Sequence, residues 1–184
     1  NGYAVLRVDD RGAGESEGDY KTATLDDFVG DTHGELDYML TRKEVDQKLI
    51  SLVGHSLGGV IAPMVSVERP EVAFMILLAG SGIPGDELML LQKEKIERRM
   101  GVPDEGIAAG QKNIGGAYDL ITSGEGSDDS LKVKLTTYFN GVFGEALPAE
   151  QVDAIATQLS YPWLVEFIRH DPSVPLSKVQ VPVL

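Results

Sequence analysis

The stretch Ile50-Ser51-Leu52-Val53-Gly54-His55-Ser56-Leu57-Gly58-Gly59 decides how this chain folds. An apolar run of strand length leads straight into Gly-x-Ser-x-Gly, and residues suited to a helix follow. This is the pattern of a nucleophile elbow, a sharp strand-to-helix turn that lifts a serine hydroxyl above the edge of a sheet. The glycines carry a steric expectation. Gly54 and Gly58 flank a serine in strained backbone geometry, and a Cβ at either position would collide with the neighbouring element. A serine hydroxyl is a weak nucleophile at neutral pH, so the motif also implies a base and an acid elsewhere.

Working outward, residues 49 to 53 form the strand before the elbow. The helix after it is expected from about Leu57 to Glu68, ending before Pro70. Residues 3 to 8, Tyr3-Ala4-Val5-Leu6-Arg7-Val8, form another apolar run of strand length. It opens into a polar, glycine-rich loop from Asp9 to Gly18. Residues 24 to 41 predict a helix, because Leu25, Phe28, Val29, Thr32, Leu36, Met39 and Leu40 recur at spacings of three and four. Thr24, followed by Asp26 and Asp27, supplies an N-terminal cap and suitable charge. Val72 to Ala79 reads as a further buried strand, closed by Gly80-Ser81-Gly82. The first 82 residues therefore read strand, helix, strand, helix, strand, which argues for parallel strands joined by crossover helices.

From Ile83 to Asp171 the pattern is helical, with segments near 85 to 100, 104 to 122, 129 to 143 and 148 to 169. Gly124 to Asp129 is a polar break between two of them. Pro172, Pro175 and Pro182 then bracket a return to strand over Val179 to Leu184. The expected organisation is a core over 1–82, a helical insertion over 83–171 and a return to the core over 172–184. In open sheets of this kind, insertions fall at the carboxyl ends of the strands, where ligands also bind. The chain begins next to one apparent strand and stops inside another, which reads as a piece of a longer protein.

Asp9-Asp10-Arg11-Gly12-Ala13-Gly14-Glu15-Ser16, taken with Gly54-His55-Ser56-Leu57-Gly58-Gly59, resembles the α/β-hydrolase superfamily. Asp27-Phe28, Ile61-Ala62-Pro63, Leu77-Leu78-Ala79-Gly80, Pro162-Trp163 and Asp171-Pro172 narrow the likeness. Together they look like bacterial esterases and peptidase-like hydrolases of the serine aminopeptidase and dienelactone-hydrolase type. The resemblance implies an α/β-hydrolase fold, a parallel sheet with crossover helices and an α-helical cap insertion. It implies hydrolysis of carboxylic esters through an acyl-enzyme. Ser56 matches the nucleophile and the backbone N–H of Leu57 matches one oxyanion donor. Arg11 matches a loop organiser. One departure is local, since an acidic residue often follows the serine in such proteins and Leu57 stands here. A peptidase or amidase of the same fold is the alternative, as is a non-catalytic fragment.

The resemblance also implies an acid and then a histidine after the strand at Val179 to Leu184, and a second oxyanion donor before residue 3. None of the chain's own histidines is expected to substitute. His55 adjoins Ser56 in a tight turn, so the two side chains should diverge. His33 lies at the edge of a helical stripe, and His170 precedes Asp171-Pro172 with poor geometry for an acid orienting a base. Asp26, Asp27, Asp31, Glu35 and Asp37 read as a solvated helix face. Asp128-Asp129 stands without a histidine or third carboxylate at ligand spacing, so neither metal nor cofactor is expected.

The chain has 184 residues, no cysteine and a formal net charge of -13. Without cysteine, disulfides and thiol catalysis are excluded. The acidic balance argues against nucleic acid and anionic membranes and reads most simply as solubility; a small-molecule ester or amide as partner is what the resemblance implies. No apolar run is long enough to span a bilayer. Oligomeric state and compartment are not legible. Gly12-x-Gly14-x-x-x-Gly18 after a strand is a weak match to a dinucleotide loop, because Glu15 and Glu17 would face the pyrophosphate and no helix starts there. The apolar residues Leu88, Leu91 and Ile96 are expected to pack down on the sheet.

Overall fold

The computed structural model describes residues 2–124 and 129–184. The chain divides into two compact units, Asn1–Gly82 with Pro172–Leu184, and Ile83–Asp171.

In the first unit, helix α1 (Leu25–Leu40) starts at Thr24 with a full capping box. The Thr24 hydroxyl accepts from the Asp27 N–H, and the Asp27 carboxylate accepts from the Thr24 N–H. Two otherwise orphaned donors are satisfied reciprocally. Leu25, Val29 and Leu36 form the buried stripe of α1. Strand β1 (Ser51–His55) passes through the elbow into α2 (Gly58–Glu68), which returns the chain to β2 (Phe74–Leu78). β1 and β2 pair in parallel, from Ser51 opposite Phe74 to His55 opposite Leu78. Helix α2 packs on both strands and on α1. The core of this unit is built from Ile50, Val60, Ile61, Val65, Val72 and Met75, all buried.

Two expected strands differ. Residues 3 to 8 are not a strand, and Tyr3 and Val5 are 91% and 80% exposed. A strand exists only through its ladder, and no described segment pairs with this one. At the other end, the return to strand is a single parallel bridge between Met75 and Val183. Met75 N–H donates to the Pro182 carbonyl at 2.9 Å, and Leu77 N–H to the Leu184 carbonyl at 2.8 Å. Pro182 has no N–H to give a ladder, and the residues before it wind into α8 (Ser173–Leu176) rather than extending.

The second unit is helical among its described residues: α3 (Gly85–Arg99), α4 (Asp104–Ser123), α5 (Asp129–Phe143), a 3-10 turn (Gly144–Ala146), α6 (Ala149–Leu159) and α7 (Pro162–Arg169). The expected segment over 148–169 is thus two helices. Pro162 cannot donate to a preceding turn and pushes Tyr161 into extended backbone, so one helix ends and the next begins with proline at its first position. Ile121, Leu135, Phe139, Val152, Val165 and Ile168 pack into one apolar cluster. Phe139 stacks on Phe143 with centroids 5.9 Å apart. Gly85 is required for close packing, because a Cβ there would lie 1.7 Å from the Phe167 carbonyl oxygen. Leu91 and Ile96, expected to be covered, are 42% and 59% exposed. They lie on α3 beside the Lys93–Glu97 and Glu94–Arg98 pairs, while Met89 and Leu90 of the same helix pack against the core of the helical unit.

Candidate active site

The elbow is built by backbone crowding. Ser56 follows the last residue of β1 with φ of +53°, a left-handed conformation that costs any residue bearing a Cβ. Gly54 is buried, and a Cβ on it would stand 2.1 Å from the Gly58 carbonyl oxygen. Only glycine lets the start of α2 fold back over the end of β1. The same is not true of Gly58, which has nothing within 4 Å of a hypothetical Cβ. The second close approach is at Gly59, where a Cβ would fall 2.7 Å from Gly80 Cα beyond β2. The expected clash at Gly58 therefore belongs one residue later, because Gly59 rather than Gly58 faces the turn after the neighbouring strand.

Ser56 N–H donates to the Leu78 carbonyl at 2.9 Å, and the Ser56 carbonyl accepts from the Gly59 N–H at 2.9 Å. The backbone of the serine is held on both sides while its side chain is left at the surface. Ser56 and His55 are exposed, and Leu57 is half-buried as the N-cap of α2. Among the described residues no backbone carbonyl takes the Leu57 N–H, and the Ser56 hydroxyl forms no hydrogen bond. There is no acidic residue in the first turn of α2. The positive end of the helix dipole therefore has no acidic side chain from the helix's own first turn beside it.

The glycine-rich loop is closed on itself. Gly12 N–H donates to the Glu17 carbonyl at 3.1 Å and Ser16 Oγ to the Asp9 carbonyl at 2.7 Å. Gly14, at φ of +55°, leaves room for the Asp9 carboxylate, which a Cβ would overlap at 1.9 Å. Arg11 ties this loop to α1. It donates two parallel bonds of 2.7 Å to the Asp31 carboxylate and one of 3.1 Å to the Asp27 carbonyl, with its guanidinium over Phe28. The Asp31 contact holds Arg11 above its ordinary pKa, and the bonds from Thr24 hold Asp27 below the usual carboxylate range. Asp27, Asp31 and Asp37 are therefore not merely solvated, since Asp37 pairs with Arg69 at 2.7 Å. Glu35 differs again, because burial pushes its carboxyl up, aided by Asp31 and Asp10.

The three histidines go to three places. His55 ends β1, next to Ser56 in sequence. His33 on α1 has Nε2 3.5 Å from the Glu68 carboxylate at the end of α2. His170 is the C-cap of α7 in the helical unit; its Nε2 is buried without a hydrogen-bond partner among the described residues, and burial pushes its pKa down against the opposing pull of Asp171. No cluster of three His, Asp or Glu residues able to hold a metal occurs among the described residues. Asp128 and the side chain of Asp129 lie outside them. Among the described residues, no helix is long and apolar enough to cross a membrane.

Sequence reasoning missed Arg69 and the strain at Ala79. Arg69 bonds the His33 carbonyl, Asp37 and Glu71, so it fastens α1 to the end of α2. Ala79 has φ of +54°, at the place after β2 that matches Ser56 after β1. Neither carries a local signal, because a surface arginine and an alanine fit almost any context. The family model described as serine aminopeptidase, S33 matches residues 1–101. No solved structure matches the chain.

Proposed function

We propose that this chain, which belongs to the serine aminopeptidase S33 family of α/β-hydrolases, presents Ser56 as the nucleophile of a carboxylic-ester hydrolase. The family makes it hydrolase-like and gives it the α/β-hydrolase fold. The single observation that carries the finer reading is the exposed Ser56 at φ of +53°, beside an uncommitted Leu57 N–H at the start of α2.

In this reading Ser56 Oγ attacks the ester carbonyl carbon, and the carbonyl electron pair moves onto oxygen. The oxyanion is received by the Leu57 N–H. Collapse of the tetrahedral intermediate breaks the bond to the leaving alkoxide, which takes the proton that Ser56 gave to a base. Water then repeats the attack and frees the acid. The base and its acid partner are assigned outside these residues. His33 faces Glu68 and His55 ends β1, so neither is assigned as the base. The helical unit is assigned as the cap domain. The argument is covalent: the insertion at Ile83 leaves the sheet unit just past the carboxyl end of β2, the same end at which parallel β1 delivers Ser56.

A second reading is favoured by the family description itself, which names an aminopeptidase. The elbow serves both chemistries, so substrates decide. With imidazole supplied as external base, the chain is expected to hydrolyse a p-nitrophenyl ester, and Ser56→Ala to lose that activity. Preferred cleavage of an amino-acid p-nitroanilide would move the assignment to the peptidase. Hydrolysis of neither would support a non-catalytic piece, and Ser56-independent turnover would contradict the nucleophile.

A further inference from the structure

We propose that Ala79 is a positioning residue for Ser56: its left-handed turn at the end of β2 aims the Leu78 carbonyl at the Ser56 N–H and so holds the serine's own strained backbone in place. The consequence for reactivity rests on the reading of Ser56 as a nucleophile.

Ser56 and Ala79 are the two non-glycine residues with positive φ among the described residues, at +53° and +54°. They are not scattered. His55 and Leu78 are the last register pair of the parallel ladder, and each strained residue comes next after its strand. The bond from Ser56 N–H to the Leu78 carbonyl, 2.9 Å, joins them. The direction of that carbonyl is fixed by the peptide unit between Leu78 and Ala79, so the φ of Ala79 is felt at Ser56. The turn is also boxed from α2, since Gly59 passes so near Gly80 that a Cβ would fall 2.7 Å from its Cα. Left-handed backbone at an alanine persists only where its surroundings over-determine it. Here those surroundings are the elbow itself.

Ala79 is exposed, so side chains placed there reach solvent and backbone preference can be varied with little packing change. Glycine and asparagine accept positive φ, whereas a β-branched residue resists it. The readouts are hydrogen exchange of the Ser56 amide, measured against the β1 amides, and labelling of Ser56 by a fluorophosphonate in imidazole. Ala79→Gly and Ala79→Asn should keep Ser56 exchange within about threefold of the parent, while Ala79→Val should speed it about tenfold. Labelling should fall in the same order. A folded Ala79→Val protein with unchanged Ser56 exchange overturns the proposal, as does an Ala79→Asn protein that loses as much as the valine variant. Should the valine variant not fold, Gly59→Ala makes the test from the other side, and retained Ser56 protection there overturns it equally. If the parent chain is never labelled at Ser56, the nucleophile reading fails, and the exchange series still decides the role of Ala79.

Discussion

The sheet unit and the helical unit differ in what their close packing holds. The helical unit closes its own core: Phe139, Leu135, Val152 and Val165 are buried among four helices, and no motif is needed to explain it. The sheet unit buries Ile50, Val60, Val65, Val72 and Met75, and adds crowded glycines at two places, Gly12 and Gly14 in the loop and Gly54 and Gly59 around the elbow. Both units combine side-chain burial with crowded glycines, Gly85 in the helical unit among them. What sets the sheet unit apart is that its crowding holds a left-handed, exposed serine. Under the proposed function the chemistry would lie at this turn, because a nucleophile must stay exposed while its backbone is immobile.

The largest expected effect falls on the core of the helical unit. Phe139→Ala should destabilise the helical unit by about 4 kcal/mol, read as an early thermal transition with the amide exchange of β1 and β2 unchanged. Simultaneous loss of both units would break the contrast. Next come the glycines. Gly54→Ala and Gly85→Ala each drive a Cβ into backbone and should cost about 3 kcal/mol in their own unit. Gly58→Ala, with open space around it, should be neutral or stabilise α2 by up to about 1 kcal/mol. Chemical denaturation of the three variants checks the order, and a damaging Gly58→Ala would undo the placement of the crowding at Gly59.

The contrast also explains what the sequence revealed. The elbow was legible because Gly-x-Ser-x-Gly after an apolar strand encodes a backbone event in residue types, and α1 was legible from its stripe and its Thr24 cap. The helical segments followed from periodicity, and the break at Pro162 was missed because a strong pattern continued across it. The strand over residues 3 to 8 was misread because strand propensity is local whereas a ladder needs a partner. Gly58 was mistaken for the crowded glycine because the motif spacing does not say which glycine faces β2. The strain at Ala79 was invisible, although the residue was named in the run closing β2, since strain at an alanine depends on neighbours brought from Gly59 and Ser56.

Smaller effects sharpen the comparison. Arg11→Ala should destabilise the sheet unit by about 1 kcal/mol, the partly exposed Asp31 pair being screened by solvent. A double-mutant cycle with Asp31→Asn measures it, and an additive cycle would remove Arg11 as the tie between loop and α1. The smallest effect is in pH, and it runs in opposite directions in the two units. His170 has its pKa lowered from 6.5 by burial, so its unfolded form takes up a proton first and the helical unit should lose stability as pH falls below about 6.5. Glu35 has its pKa raised from 4.5, so the folded form takes up the proton first and the sheet unit should gain as pH falls through that raised value. His170→Gln and Glu35→Gln should each flatten the corresponding slope in pH-dependent melting.

The most direct test of the account is to treat the folded chain with a fluorophosphonate, with and without imidazole, and to map the adduct by mass spectrometry. The account predicts an adduct confined to Ser56, slow alone, accelerated by imidazole and absent from Ser56→Ala. An adduct elsewhere, or none from a folded chain under either condition, would contradict Ser56 as the nucleophile. Fast stoichiometric labelling without imidazole would contradict the assignment of the base outside these residues.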